Sequence, residues 1–408
     1  MTSPSSSYDV AVVGGGVIGL SIAWRLGKGG LSVALIDPDP GEGVSAIAAG
    51  MLGPTTTRSP YAEKELQRFN ATSAAAYPAF VTELEKSSGM SVGYECSGAM
   101  LIAVETAMAG KSSAFPPPVG VERHSDGAGF VESVYKYQSS LGLPVEMMSG
   151  EQCRELEPCI SPSAVKAILY EDEGRVDPGQ LCIALVHACN AAKVDMLRQR
   201  VVRLVADGRG VRGIYLDNGV QLNAGTTVLA AGAWSHLLKG LPAGVVQPIR
   251  PLKGQVIRVR ARMDAIERIP TRTIRAYVDG RHVYVVPQPG GQAVIGATLE
   301  DQGYDTSVTV EAVQRLLHDA SLVVPSMEDA EIVALNAGLR PAVADNVPMI
   351  GPSLLEGLFL ATGHGRNGVL LAPATAEVVH DFLVRGVVDE SVTAFFPHRF
   401  TLRHGRTS

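Results

Sequence analysis

The sequence predicts an α/β protein in which a Rossmann-like, dinucleotide-binding domain is interleaved with an α+β domain built on antiparallel sheet. Three observations carry that expectation: a strand–glycine turn–helix–strand unit at the start of the chain, strands of alternating pattern in its middle, and a second glycine-rich turn into a helix near its end. In the first unit, Tyr8–Asp37, the short β-branched run Val10–Val13 reads as a buried parallel strand. Gly14, Gly16 and Gly19 then form G-x-G-x-x-G around Val17 and Ile18, on the turn into an apolar helix. The first glycine permits the tight turn, the second lets backbone approach a pyrophosphate, and the third lets helix pack on strand. A pyrophosphate would rest on the N–H groups of the helix N-terminus, where the dipole favours anions. Gly29 and Gly30 punctuate the helix, Leu31–Ile36 gives the second strand, and Asp37 ends it. A carboxylate roughly 20 residues past the glycines can bind a ribose hydroxyl.

Composition narrows the class. At 408 residues the chain exceeds one usual core, so two domains are expected. With 46% hydrophobic and 19% charged residues it reads as globular rather than disordered. A net charge of −6 with no Lys/Arg run argues against nucleic acid as a partner. The polar start TSPSSS lacks the apolar core of a signal peptide, and no apolar stretch of about 18 residues suggests a membrane span. Cys96, Cys153, Cys159, Cys182 and Cys189 are odd in number and lack C-x-x-C spacing, which points to free thiols, no metal site and a cytoplasmic location.

Along the chain, the small residues of Ser45–Thr57 (SAIAAGMLGPTTT) would let backbone approach a large flat ligand, with Met51 at a pocket. Ala62–Lys86 has helical spacing and Gly98–Val104 reads as a strand. Thr106–Gly129, rich in Pro and Gly, reads as an exposed loop. Helices are expected at Glu132–Leu141, Ser149–Leu156 (Ser149 with Gln152 as a capping box) and Gly179–Ala192. Strands at Ala167–Tyr170, Val201–Leu204, Val211–Leu216 and Gly219–Leu222 turn at Asp207-Gly208 and Asn218-Gly219. Thr226–Ser235 reads as a buried strand that bends after Ala231 at Gly232. Pro251–Arg262 and His282–Gly296 alternate as antiparallel strands covering a pocket, with a helix at Val308–Leu322. Strands at Glu331–Leu339 and Gly357–Thr362 precede the last long helix, and the tail is expected to fray. The resulting division gives residues 1–85, 150–245 and 334–400 to the dinucleotide domain, 86–149 and 246–333 to the substrate domain, and 401–408 to the tail.

Taken together, GGGVIGLSIAWRL, AAGML, RVDP, VLAAGAWS, PLKGQV, VYVVP with GAT, GLRP and ATGHGRNGVLLAP resemble, in order, the glycine oxidases of the D-amino-acid oxidase family of FAD-dependent oxidoreductases. The resemblance runs from Tyr8 to about Leu383. It implies a noncovalent FAD, oxidation of a small amino acid by hydride transfer from Cα to flavin N5, hydrolysis of the imine to an oxo acid, and reduction of O2 to H2O2. It further implies thiamine thiazole synthesis, with hand-off to a thiazole synthase, and a homo-oligomer. By the same resemblance Gly14, Gly16, Val17, Ile18, Gly19 and Asp37 hold the ADP half of FAD, with Val202 at the adenine. Ala48, Ala49, Gly50 and Met51 lie along the flavin, Ala231 and Gly232 near it. Gly363, His364, Gly365, Arg366, Asn367, Gly368, Val369 and Leu370 wrap its ring. Arg340 clamps the substrate carboxylate, Tyr284 helps hold it, and His282, Arg366 and Met51 complete the pocket. A planar guanidinium grips a carboxylate through two parallel hydrogen bonds, so positioning carries the reaction and no obligatory acid or base is expected.

The chain departs from the family at Gly365 and Asn336, where aromatic residues are common, and at Ile47, where many have Trp. Losing that bulk widens the expected substrates to larger amino acids or N-methyl glycine. The alternatives are a D-amino-acid dehydrogenase, a sarcosine or D-amino-acid oxidase with a wider pocket, and a flavin-binding sensor. A carboxylate clamp argues against the sensor, and peroxide release separates oxidase from dehydrogenase.

Overall fold

The computed structural model describes residues 7–54, 62–106, 126–207, 210–242, 244–262 and 269–400. Residues 107–125 of the expected loop, Gly208 of the expected turn and the tail 401–408 lie outside the described residues.

The strand Ser7–Val13 is central to a mostly parallel sheet. It pairs parallel with Val33–Ile36 on one side and with Gln221–Leu229 on the other. Asp195–Leu197 extends the first side and Leu358–Thr362 the second, both in parallel, with Met349–Pro352 as an antiparallel edge. Both faces are covered, which is why these strands are apolar throughout. Val10, Val12, Val33 and Leu35 face the helices Val17–Lys28, Glu63–Ser88, Pro178–Ala191 and Gly368–His380. Ala11, Val13, Ala34 and Ile36 face the meander formed by Val201–Asp207 and Gly210–Leu216. The sheet is thus Rossmann-like, as its opening motif predicts.

The second sheet runs Glu300–Asp301, Arg250–Arg260, Gln292–Gly296, Arg281–Gln288, Thr273–Val278, Ala99–Val104, Ala164–Tyr170, Glu146–Ser149, and Glu331–Ala342 also pairs with Arg250–Arg260. All its pairs are antiparallel except Thr273–Val278 with Ala99–Val104. One face carries Ile102, Ile257, Ile274, Val285 and Ile295 onto the helix Val310–Val323. On the other face Ala99, Ala103, Ile168 and Tyr170 pack on the helix Gly127–Ser140, and Val256, Val286 and Val294 pack against Ala49 beside the site.

This pairing moves two expected boundaries. Ala164–Tyr170 lies in the stretch given to the dinucleotide domain, yet it pairs with Ala99–Val104 in the antiparallel sheet. Glu331–Ala342 likewise carries that sheet past residue 334, because it pairs with Arg250–Arg260 from end to end, with one register shift between Arg258 and Val259. Two elements also differ in extent. The strands expected at Gly219–Leu222 and Thr226 onward are one, Gln221–Leu229, whose first part pairs with the meander and whose later part joins Ser7–Val13. The helix expected at Glu132 begins at Gly127, because the Asp126 carboxylate accepts the Gly129 N–H as its cap. The Ser149–Gln152 capping box forms as expected.

Candidate active site

A cavity of about 1070 Å3 lies between the glycine-rich end of the parallel sheet and the free face of the antiparallel sheet. It exceeds the usual range for a single small ligand, leaving room for a dinucleotide and a second molecule. At one end, Gly14 has φ +113°, and a Cβ there would stand 2.4 Å from the Ala230 carbonyl oxygen. Gly19 packs on the Gly14 carbonyl, where a Cβ would come within 1.9 Å. Gly16 precedes the helix Val17–Lys28 as an N-cap without a side chain, and no acid occupies the first turn. The free N–H groups of that turn therefore face the cavity as an anion site. Ser45 braces the turn by accepting the Val17 N–H at 3.1 Å. The Asp37 carboxylate accepts the N–H groups of Gly15 (2.7 Å) and Asp39 (2.8 Å) and lines the cavity, so its position is tied to the glycine turn. Val202 lines the same end, at the start of its strand.

The middle of the cavity is built by two loops from distant parts of the chain. Ala48, Ala49, Gly50 and Met51 pass along it, held to the antiparallel sheet where Gln288 Nε2 donates to the Ala49 carbonyl at 3.0 Å. Ala231 and Gly232 line it from the parallel sheet. Opposite them, residues 363–369 turn into the helix Gly368–His380, whose N-cap Asn367 supplies no side-chain cap. This second uncapped N-terminus is a further place where a negative charge would be stabilised. The turn is tied directly to the GLRP strand, since the Gly365 N–H donates to the Pro341 carbonyl at 2.9 Å.

The substrate-side wall follows from strand register. Residues directly opposite in an antiparallel pair share a face. Arg275 stands opposite Tyr284, Tyr284 opposite Gly296, Gly296 opposite Val256, Gly254 opposite Gly338, and Leu252 opposite Arg340. The glycines on this face are spaces into which functional side chains fold. A Cβ at Gly254 would lie 2.2 Å from an Arg340 Nη, and one at Gly296 would lie 2.5 Å from the Tyr284 hydroxyl. Arg340 donates to the Thr298 carbonyl at 2.9 Å, and its charge lies close enough to act on the Tyr284 phenol. Burial pushes the Tyr284 phenol up while Arg340 opposes the shift, so it stays neutral and can donate to a carboxylate. His282 sits beside this pair, packed edge-on against Phe130 and Tyr277. Arg366 is accessible from the cavity, yet deep enough that desolvation, then the charges of Arg340 and Arg275, push its guanidinium down.

Most of the expected contact residues therefore converge on one cavity, with corrections. Gly19 and Leu370 are not part of its wall: Gly19 supports the turn, and Leu370 is core, its carbonyl taken by the Ser73 hydroxyl at 2.6 Å. The His364 ring turns away to Thr375 (3.1 Å), and burial pushes it down to about 3, so it serves as neutral internal support. Of the three bulk-losing departures, Ile47 and Gly365 line the cavity and Asn336 does not. Arg275 and Thr298 were not expected. A lone Arg in the apolar strand Thr273–Val278 was the available signal for the first.

A Gly-cradled helix N-terminus, a carboxylate tied to the glycine turn, and an arginine and a tyrosine across the same cavity define a dinucleotide-binding protein with room for a second molecule. Comparison with known proteins makes that class specific. The chain matches the family described as FAD dependent oxidoreductase (DAO) over residues 9–381, and it belongs to that family. It is 32% identical over 406 residues to the glycine oxidase of Geobacillus kaustophilus (strain HTA426), covering 97% of each chain. Its fold matches the crystal structure of glycine oxidase from Geobacillus kaustophilus with a TM-score of 0.83 at 30% identity, over 97% of this chain and 99% of that one. It is also 29% identical over 402 residues to the bifunctional protein ThiO/ThiG of Trichormus variabilis, covering 96% of this chain and 55% of that protein. The protein is therefore an FAD-dependent oxidoreductase, and its residues fit the cofactor: the cradle at Gly14–Ile18, the open space at Gly232 and the uncapped helix at Gly368. Among the described residues no helix is long and apolar enough to cross a membrane.

Proposed function

We propose that this chain oxidises glycine or a similarly small amino acid, with Arg340 and Tyr284 holding the substrate carboxylate. The observation that carries this reading is the Arg340–Tyr284 pair, folded into the spaces at Gly254 and Gly296 on the wall facing the flavin-side loops. When bound, FAD accepts the two electrons of amine oxidation and returns them to O2, giving H2O2 and an imino acid that hydrolyses to the oxo acid. The chain's own part is positional. Arg340 and Tyr284 fix the carboxylate, which directs the substrate's Cα and amine toward the loops at 48–51 and 363–368. On this reading positioning carries the reaction, and no obligatory acid or base is needed.

The contact roles of Gly14, Gly16, Val17, Ile18, Asp37 and Val202 toward ADP, and of the flavin-side loops toward the ring, belong to the same reading. Noncovalent attachment does too: no cysteine lines the cavity, and four of the five thiols are pushed up to about 11 or 12, chiefly by burial. Similarity to a bifunctional ThiO/ThiG protein supports a role in thiamine thiazole synthesis, with the product passed to a thiazole synthase. A cytoplasmic homo-oligomer completes the proposal, and light scattering of the purified protein tests the assembly.

The deciding experiment is to purify the yellow holoprotein, add glycine, sarcosine or D-alanine, and follow O2 uptake and peroxide. Stoichiometric peroxide is expected. Flavin reduction without peroxide, with electrons passing to a quinone instead, would make the protein a dehydrogenase.

A further inference from the structure

The substrate wall carries more positive charge than one carboxylate neutralises. Arg340, Arg366 and Arg275 come from three segments of the chain and line the same cavity. Among the described residues only Arg275 of the three has an acid beside it: Glu173 Oε2 lies 2.9 Å from Nη2. That carboxylate sits off the donor direction, and both Nε and Nη2 of Arg275 are buried without a hydrogen-bond acceptor. The guanidinium plane is instead held over the Tyr170 ring, 4.4 Å from its centroid. Among the described residues Arg366 forms neither an ion pair nor a hydrogen bond. Three guanidiniums thus face one carboxylate, and a substrate held by its α-carboxylate on Arg340 still leaves one positive charge unmatched. Buried donors without acceptors are costly, and the unpaired Arg366 faces the same cavity, where an anionic ligand would complete it. There is also room for a side chain, because the cavity runs past Tyr284 over Leu101 to Phe130, Val134 and Gln138.

We propose that Arg275 and Arg366 form a seat for a second carboxylate, so that the preferred substrate is an amino dicarboxylate rather than glycine itself. This rests on the amino-acid-oxidase reading and names the substrate class of the same site. The α-carboxylate lies on Arg340 and Tyr284. The second carboxylate, one or two carbons away, accepts from Arg275 Nη1, the one nitrogen of that guanidinium outside its buried unsatisfied pair, and from Arg366. Charge-assisted hydrogen bonds from two guanidiniums favour a carboxylate there over a neutral side chain.

Two measurements on the FAD-loaded protein test the seat. Titration of the flavin absorbance with malonate and succinate, against acetate and propionate, reports binding without turnover; the diacids are expected to bind at least tenfold tighter. Kinetics with iminodiacetate and both enantiomers of aspartate, against glycine and D-alanine, should give at least tenfold higher kcat/KM for the best diacid. Arg275→Met should lower the diacid-to-glycine ratio of kcat/KM at least tenfold, and Arg275→Lys should recover part of it. Equal binding of monoacids and diacids, or a ratio unmoved by Arg275→Met, overturns the seat. If glycine or D-alanine reduces the flavin and the diacids show no advantage, only the dicarboxylate proposal fails. A flavin that no amine reduces anaerobically sinks the oxidase reading instead.

Discussion

At the scale of single residues, the site works by leaving some groups uncharged and others unpartnered. Tyr284 remains a phenol because burial outweighs the neighbouring Arg340. Tyr284→Phe should therefore raise KM about tenfold, with kcat changed less, since one hydrogen bond to a charged ligand is worth about 1.5–3 kcal/mol. Arg340→Lys should cost more, about 10²-fold in kcat/KM, because an ammonium cannot reproduce the fork against Thr298 and the carboxylate. His364 gives a stability test. Burial holds it down to about 3 in the folded protein, whereas the unfolded chain protonates it below its ordinary 6.5. The unfolded state then binds the extra proton, so stability falls as pH drops from about 6.5 toward 3, by up to about 1.4 kcal/mol per pH unit. His364→Gln should flatten the loss of urea midpoint between pH 7 and pH 5, and an unchanged slope would remove His364 as its source. At this scale the motif residues were readable from sequence: Arg340 and Arg366 sit in GLRP and GHGRNG. Arg275 was not, because only strand register decides that its side chain shares a face with Tyr284.

Among the elements, the helix Gly368–His380 shows how a sequence that ought to weaken a helix is accommodated. Pro373 lies inside it and has no N–H to give the Val369 carbonyl. The helix Glu63–Ser88 fills that gap: the Tyr77 hydroxyl donates to the Val369 carbonyl at 2.6 Å, and the Ser73 hydroxyl donates to that of Leu370. Ser73 in turn accepts the Ala374 N–H at 3.3 Å. Tyr77 is fully buried, so Tyr77→Phe leaves an unsatisfied carbonyl and should cost about 1–3 kcal/mol in urea unfolding. Because Val369 lines the cavity, the same change should speed FAD release, read as a faster rise of free-flavin fluorescence after dilution. Element positions were largely legible from periodicity and caps, as at Ser149. Failures fell where glycine hid a helix, at Gly127 and Gly129, or where one strand serves two neighbours, as in Gln221–Leu229.

Over the whole molecule, the cavity exists because two sheets of different origin present one face each to the same space. Which strands build which sheet was only partly legible. The division of strands at 164–170 and 331–342 is a matter of long-range pairing, and alternation within a strand says nothing about its neighbours. The G-x-G-x-x-G motif shows how the common space ties cofactor to stability, since its glycines serve different ends. Gly14 is required by the fold itself: its φ of +113° and the Ala230 carbonyl at 2.4 Å leave no place for a Cβ. Gly16 has φ −75° and ψ 179°, open to any residue, and a Cβ there meets only Ser45 Oγ at 3.2 Å. Its side-chain space opens toward the cavity. Gly14→Val should therefore fail to fold with or without FAD, whereas Gly16→Val should fold as an apoprotein with nearly the native apo Tm. A ligand at a hundredfold excess over its Kd stabilises the native state by about 2.7 kcal/mol, a few degrees in Tm for a chain of this length. The parent protein should show that shift when FAD is added to the apo form, and Gly16→Val should lose it. An intact shift in Gly16→Val would mean that the pyrophosphate does not pass over this turn, and the cofactor would have to be placed elsewhere along the cavity.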